Sequence, residues 1–147
     1  MRRLQMKTML VVTATMVCAL VSGSAAQTQS VSDLRTQAED SKFTEYTSYD
    51  NMMKYLQDLQ SRSLEMRLGT YGETHSGREL PYAVYSRPTV TQPWEAWALG
   101  KPVIVLAAGV HGGERTLRES VLILMRELSD RSSAANKMLD DLVIVVV

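Results

Sequence analysis

His111 and Glu114 are the residues of this chain whose types and spacing best suit chemistry. An imidazole nitrogen and a carboxylate oxygen are both good donors to Zn²⁺. A catalytic zinc takes about three protein ligands and leaves one position open for water or substrate. The tetrapeptide His111-Gly112-Gly113-Glu114 therefore reads as half of a zinc site, with the third ligand not in view. Taken alone the pattern is weak evidence, because a histidine and a glutamate at this spacing are usually surface or hydrogen-bonded residues. His75, the other histidine, falls among Gly72, Thr74, Ser76 and Gly77, where a solvent-facing turn residue is expected rather than a ligand.

The surroundings strengthen the pair. Residues 103–108 are continuously apolar and mostly branched, as expected of a strand buried on both faces, and residues 142–147 repeat that signature. Between them Leu117, Val121, Leu124, Met125 and Leu128 step at helical spacing, with Thr116 and Glu119 placed as a capping box. Strand, helix and strand predict a right-handed parallel crossover. That arrangement puts His111 and Glu114 beyond the carboxyl end of the first strand, where open α/β sheets bind ligands. Gly109 and the Gly112-Gly113 pair are expected to allow the backbone angles and close approaches that bring both side chains to one ion.

Upstream, Tyr49, Met52, Met53, Leu56 and Leu59 recur at helical spacing, so a helix with one buried face is expected, started by a capping box of Thr47 and Asp50. Residues 66–71 and 79–86 read as strands, and the glycines and short polar residues between them predict a β-hairpin. Residues 87–102 contain three of the four prolines and both tryptophans. An irregular loop with a helical turn over residues 94–99 is expected there, with Trp94 and Trp97 fastening it to the body rather than lining a cleft.

The first residues belong to a different class. Arg2, Arg3 and Lys7 precede an apolar run over residues 9–21, and Ser22-Gly23-Ser24-Ala25-Ala26 follows. This is the layout of a signal peptide over residues 1–26, too short in its apolar part to span a bilayer, where about 20 residues are needed. The reading implies a secreted or periplasmic protein with no stable membrane anchor after cleavage. Cys18, the single cysteine, lies within the leader, so the mature chain has no disulfide, which suits a bacterial exported protein of ordinary core size. Loss of Arg2, Arg3 and Lys7 leaves 13 basic residues against 16 acidic ones, a net charge of −3. Nothing in that balance recommends nucleic acid as a partner. Residues 27–46 form a polar segment, and over residues 27–42 a tail or weak helix is expected rather than core.

The Gly77-Arg78 pair in the hairpin, the buried strand and Ala108-Gly109-Val110-His111-Gly112-Gly113-Glu114-Arg115 together resemble the zinc metallocarboxypeptidases of the M14 family, in a form closer to bacterial secreted members than to the digestive enzymes. The resemblance runs over residues 47–147, the N-terminal part of such a catalytic domain. It implies an α/β fold, a mixed and mainly parallel sheet flanked by helices. It also implies one Zn²⁺ with His111 and Glu114 as its first two ligands, and peptide or protein C-termini as substrates. Zinc in such a site polarises the scissile carbonyl and makes water a nucleophile at neutral pH, while a glutamate serves as general base and acid. That glutamate and the third ligand, a histidine, are expected beyond Val147, so no catalytic residue lies within these residues. Digestive members often place an arginine just before the ligand glutamate, but here that position is Gly113 and the role does not carry over. Arg115 is a candidate for contact with an anionic substrate, although an arginine at a helix start is more often only solvated.

Two other readings stay open at this level. A His-Gly-Gly segment after a strand also builds the oxyanion hole of α/β-hydrolase esterases. Glu114 stands where a further glycine is usual, however, and no G-x-S-x-G elbow occurs. The second reading is a non-catalytic remnant: the last strand runs to the final residue without a turn or polar terminus, which predicts a fragment of a longer protein or a truncated product, inactive alone and poorly soluble.

Overall fold

The computed structural model describes residues 30–147, and the leader over residues 1–26 lies outside them. After a 3₁₀ turn (Val31–Asp33) come helices α1 (Gln37–Asp40) and α2 (Tyr49–Arg62), then strands β1 (Met66–Glu73) and β2 (Glu79–Tyr85). Helix α3 (Pro93–Leu99), strand β3 (Val103–Leu106) and helix α4 (Arg115–Ser129) follow. The short helix α5 (Ala134–Lys137), a 3₁₀ turn (Met138–Asp140) and strand β4 (Val143–Val146) complete the order.

The strands form one sheet in the order β1-β2-β4-β3. The sheet is mixed: β1 with β2 and β2 with β4 are antiparallel, whereas β3 and β4 run parallel through the crossover helix α4. The β1–β2 hairpin is present, with a register shift between Thr70 and Gly72. Gly69 leaves room within it for the ring of Tyr82 across the strand pair, since a Cβ at that position would lie 2.6 Å from that ring.

Alternation along the strands decides which face is covered. Ala83, Tyr85, Ile144 and Val146 point into a core shared with Tyr55, Leu56 and Leu59 of α2 and Leu122, Met125 and Leu128 of α4. Leu59 and Leu128 are fully buried, each contributing roughly 1.5–3 kcal/mol relative to exposure. Two phenols cross-link the layers. Tyr55 donates to the carbonyl of Leu122 at 3.2 Å and Tyr85 to that of Met125 at 3.0 Å. Burial pushes both phenol pKa values up, so each stays a neutral donor.

Several local expectations are corrected by this packing. Helix α2 is capped by Ser48, whose hydroxyl accepts from the Asn51 N–H, and not by Thr47 with Asp50. The stretch over residues 30–42 is no tail: Leu34 and Ala38 are buried, and a capping box between Thr36 and Glu39 starts α1. The tryptophans are not anchors, since Trp94 and Trp97 are 62% and 77% exposed, and Val90 and Ala96 hold the loop to Val143 instead. Proline at the start of α3 and a capping box of Gln92 with Glu95 make that turn a helix.

Among the described residues β3 pairs with β4 alone, and Val103, Ile104 and Val105 are exposed. β4, equally apolar, sits between two neighbours and buries Val143, Ile144 and Val146. An apolar run records a preference for burial, but which strand has neighbours is settled by topology. An uncharged edge of this kind is a template for self-association. Val105→Lys is expected to keep the chain monomeric to higher concentration in light scattering, with stability changed by no more than about 0.5 kcal/mol.

Candidate metal centre

The candidate ligands sit on the turn that converts β3 into α4. The sheet ladder continues one step past β3, with Ala108 N–H donating to the Val147 carbonyl at 3.0 Å, and the chain then turns at Gly109 with φ +77°. That left-handed conformation favours glycine. Gly112 and Gly113 do not take it, and a Cβ on either would meet nothing within 4 Å, so neither is demanded by strain or crowding. The turn closes when Glu114 N–H donates to the His111 carbonyl at 3.0 Å, and α4 begins at the next residue.

This closure brings the two side chains together. His111 Nδ1 lies 2.8 Å from Glu114 Oε1, with the side chains 78% and 40% exposed. A nitrogen donor and an oxygen donor thus share one solvent-accessible point at the carboxyl end of β3. As a donor set they fit part of a zinc site, supplying two of the roughly three protein ligands that a catalytic zinc takes. Among the described residues no group of three or more metal-binding side chains is assembled. His75 is an exposed residue of the hairpin loop.

Helix α4 starts without a side-chain cap, because the Glu114 carboxylate faces the imidazole and makes no capping bond. Thr116 and Glu119 form no capping box. Glu119 is buried and its two oxygens accept from Thr47 N–H at 2.8 Å and Thr47 Oγ1 at 2.6 Å. Arg118 donates to the Thr47 carbonyl at 2.9 Å. Arg115 places its guanidinium 5.3 Å from the centroid of the Tyr46 ring, an arrangement for a cation–π contact.

These partners escaped sequence reasoning, although one signal was available. Glu119 lies about one helical turn before Leu122 and two before Met125, a charged residue on the buried stripe, and such a position calls for a partner. A cavity of about 320 Å³ opens beside this helix start, bordered by Tyr49, Tyr71, Arg78, Tyr82, Gly109 and Arg118.

The family model described as zinc carboxypeptidase matches residues 49–147. A metallocarboxypeptidase A-like protein of Trichophyton verrucosum (strain HKI 0517) is 29% identical over 105 residues, which is 70% of this chain and 23% of that protein. The chain therefore spans about a quarter of the length of the relative it matches. Among solved structures, a metallo-carboxypeptidase from Burkholderia cenocepacia superposes with a TM-score of 0.52 at 21% identity, covering 69% of this chain and 26% of that one. Thrombin activatable fibrinolysis inhibitor superposes with a TM-score of 0.57 at 12% identity, over 70% and 25% of the two chains. At these identities the superpositions speak for the fold, and the family rests on the model match. Since that match takes in the hairpin, the crossover and the turn on which His111 meets Glu114, the chain belongs to the zinc carboxypeptidase family.

Proposed function

We propose that this chain supplies the first two zinc ligands of an exported metallocarboxypeptidase that hydrolyses C-terminal peptide bonds of peptides or proteins. The observation that supports it most is the convergence of His111 Nδ1 and Glu114 Oε1 at 2.8 Å on the turn after β3, within a chain of this family. A zinc ion bound there supplies Lewis acidity towards the scissile carbonyl and makes water a nucleophile at neutral pH. The chain's own residues do the holding. His111 contributes a neutral nitrogen donor and Glu114 an anionic oxygen, and the exposed turn leaves room for substrate and for the ligand that completes the set. Family membership makes the esterase reading unnecessary. Export is proposed from the leader over residues 1–26. Among the described residues no helix is long and apolar enough to cross a membrane.

A second reading, a carboxypeptidase-like chain without activity, is favoured by the two-donor set among the described residues. The two readings are reconciled by proposing that residues 27–147 alone hold zinc weakly and hydrolyse nothing, while a protein carrying the complete domain is active. Metal removal tests this. The complete protein is expected to contain about one zinc per chain and to release terminal residues from an N-terminally blocked peptide. Dialysis against a chelator should abolish release, and added Zn²⁺ should restore it. Activity indifferent to chelation would sink the metal reading, and robust chelator-sensitive release by residues 27–147 alone would sink the claim of their inactivity.

A further inference from the structure

We propose that Tyr46 and Thr47 form a strap that positions the zinc-ligand turn, a role that rests on the metal reading above. The need for it follows from how α4 begins. A helix leaves its first N–H groups without intrahelical partners, and a side chain at the N-cap normally accepts from one of them. Here the N-cap is Glu114, its carboxylate is turned to His111, and no acidic residue occupies the first turn. The segment before it is exposed and glycine-rich, with Val110 73% exposed, so packing holds it weakly. A ligand turn so built frays unless something outside α4 grips it.

The strap grips it at three places. The Tyr46 ring lies against Arg115, the first residue of α4. The Thr47 carbonyl accepts from Arg118, and Thr47 N–H and Oγ1 both donate to the buried Glu119 carboxylate. Arg118 connects this grip to the ligands from both ends of their turn. Its N–H donates to the Glu114 carbonyl at 3.3 Å, and its side chain packs 3.8 Å from where a Cβ of Gly109 would stand. The strap is itself fixed: Thr47 is 2% exposed, and the next residue, Ser48, caps α2, which is embedded in the core through Tyr55, Leu56 and Leu59. Core, α2, Thr47, the first turn of α4 and Glu114 thus make one continuous mechanical connection. The zinc pair can be exposed for substrate and still be held in place.

The test uses Thr47→Val, Glu119→Gln and the conservative Thr47→Ser, with His111→Ala as reference. Zinc affinity is measured on the protein carrying the complete domain, by competition with a chromophoric chelator. Amide hydrogen exchange is measured on the metal-free protein, with thermal unfolding to establish that each variant is folded. Thr47→Val and Glu119→Gln are expected to weaken zinc about tenfold, the low end for residues that orient ligands from behind. Exchange at Glu114 and Arg118 should speed about tenfold while Met125 and Leu128 keep their rates, the mark of local rather than global opening. Thr47→Ser should do neither. A purely stabilising role would lower the unfolding temperature and leave zinc affinity and the ratio of local to core exchange unchanged, and that outcome overturns the strap. If the wild type takes up no zinc, or His111→Ala keeps it, the metal reading falls instead, and the exchange ratio in Thr47→Val and Glu119→Gln decides the strap by itself.

Discussion

His111→Ala and Glu114→Ala are each expected to abolish zinc binding in the complete protein and to lower release of C-terminal residues by about 10³-fold or more. The estimate comes from the several kcal/mol that a Lewis-acidic metal contributes to the transition state, with each 1.36 kcal/mol worth a factor of ten. Stability should barely move. Both side chains are substantially exposed, at 78% and 40%, and neither belongs to the core, so a change within about 0.5 kcal/mol is expected on unfolding. Combined loss of metal and activity with an unchanged fold separates a ligand from a structural residue. Metal analysis of the purified variants is the decisive measurement, and a variant that keeps stoichiometric zinc would remove its residue from the site. Glu114→Gln should be less severe than Glu114→Ala, since it keeps an oxygen donor while losing the charge.

Breaking the ion pair between Glu39 and Arg126 is expected to cost about 1.5–3 kcal/mol, the range for hydrogen bonds to charged groups and below that of a fully buried pair because both residues are only part-buried. Arg126 Nη1 and Nη2 donate to Glu39 Oε2 and Oε1 at 2.7 and 2.9 Å, and Nη1 also donates to the Leu34 carbonyl at 2.6 Å. The two side chains are only 12% and 10% exposed. Glu39→Ala would leave the part-buried guanidinium with the Leu34 carbonyl but no counter-charge, and would remove the reciprocal bond from Thr36 N–H at 2.9 Å, loosening the N-terminal segment from α4. Replacing both residues by apolar ones of similar volume should be much milder, because no unpaired charge remains.

The same pair gives the stability a pH dependence. Burial is the largest single influence on Glu39 and raises its pKa, but the Arg126 hydrogen bond and charge, the Thr36 N–H and the charge of Arg35 together outweigh it. The net value falls below the ordinary 4.5. A carboxylate with a depressed folded-state pKa contributes stability above its unfolded value, and the contribution disappears as pH falls through the lowered one. The advantage of wild type over Glu39→Gln in urea unfolding should therefore be full at neutral pH and shrink below about pH 4.5. An advantage unchanged at pH 3 would mean the pair is not what secures the segment.

Patterns that act over a few residues were readable in the chain itself. The period of Tyr49, Met52, Leu56 and Leu59 is that of a helix against a sheet. The hairpin follows from its glycines, and the His111-to-Glu114 spacing at a strand-to-helix turn brings the two side chains together as expected. Each depends on local backbone geometry, which neighbouring residues decide. What misled the reading were residues with two uses. Thr47, Thr116 and Glu119 have the types and spacing of capping boxes, and a hydroxyl or carboxylate that can cap a helix can equally bond across the fold. Thr47 and Glu119 are 72 positions apart and Arg126 and Glu39 are 87, and no local pattern encodes a meeting at that distance.

By itself, then, the sequence determined the main elements, the meeting of His111 with Glu114 and the family, because periodicity, turn chemistry and motif spacing are properties of short stretches. Only the tertiary structure decided that, among the described residues, β4 lies between β2 and β3 while β3 pairs with β4 alone, and that both tryptophans face solvent. It also decided that Leu34 and Ala38 pack into the core, and that Thr47 bonds to Arg118 and Glu119 at the start of α4. Those outcomes depend on which surfaces are brought together, and burial and pairing are settled by the whole fold.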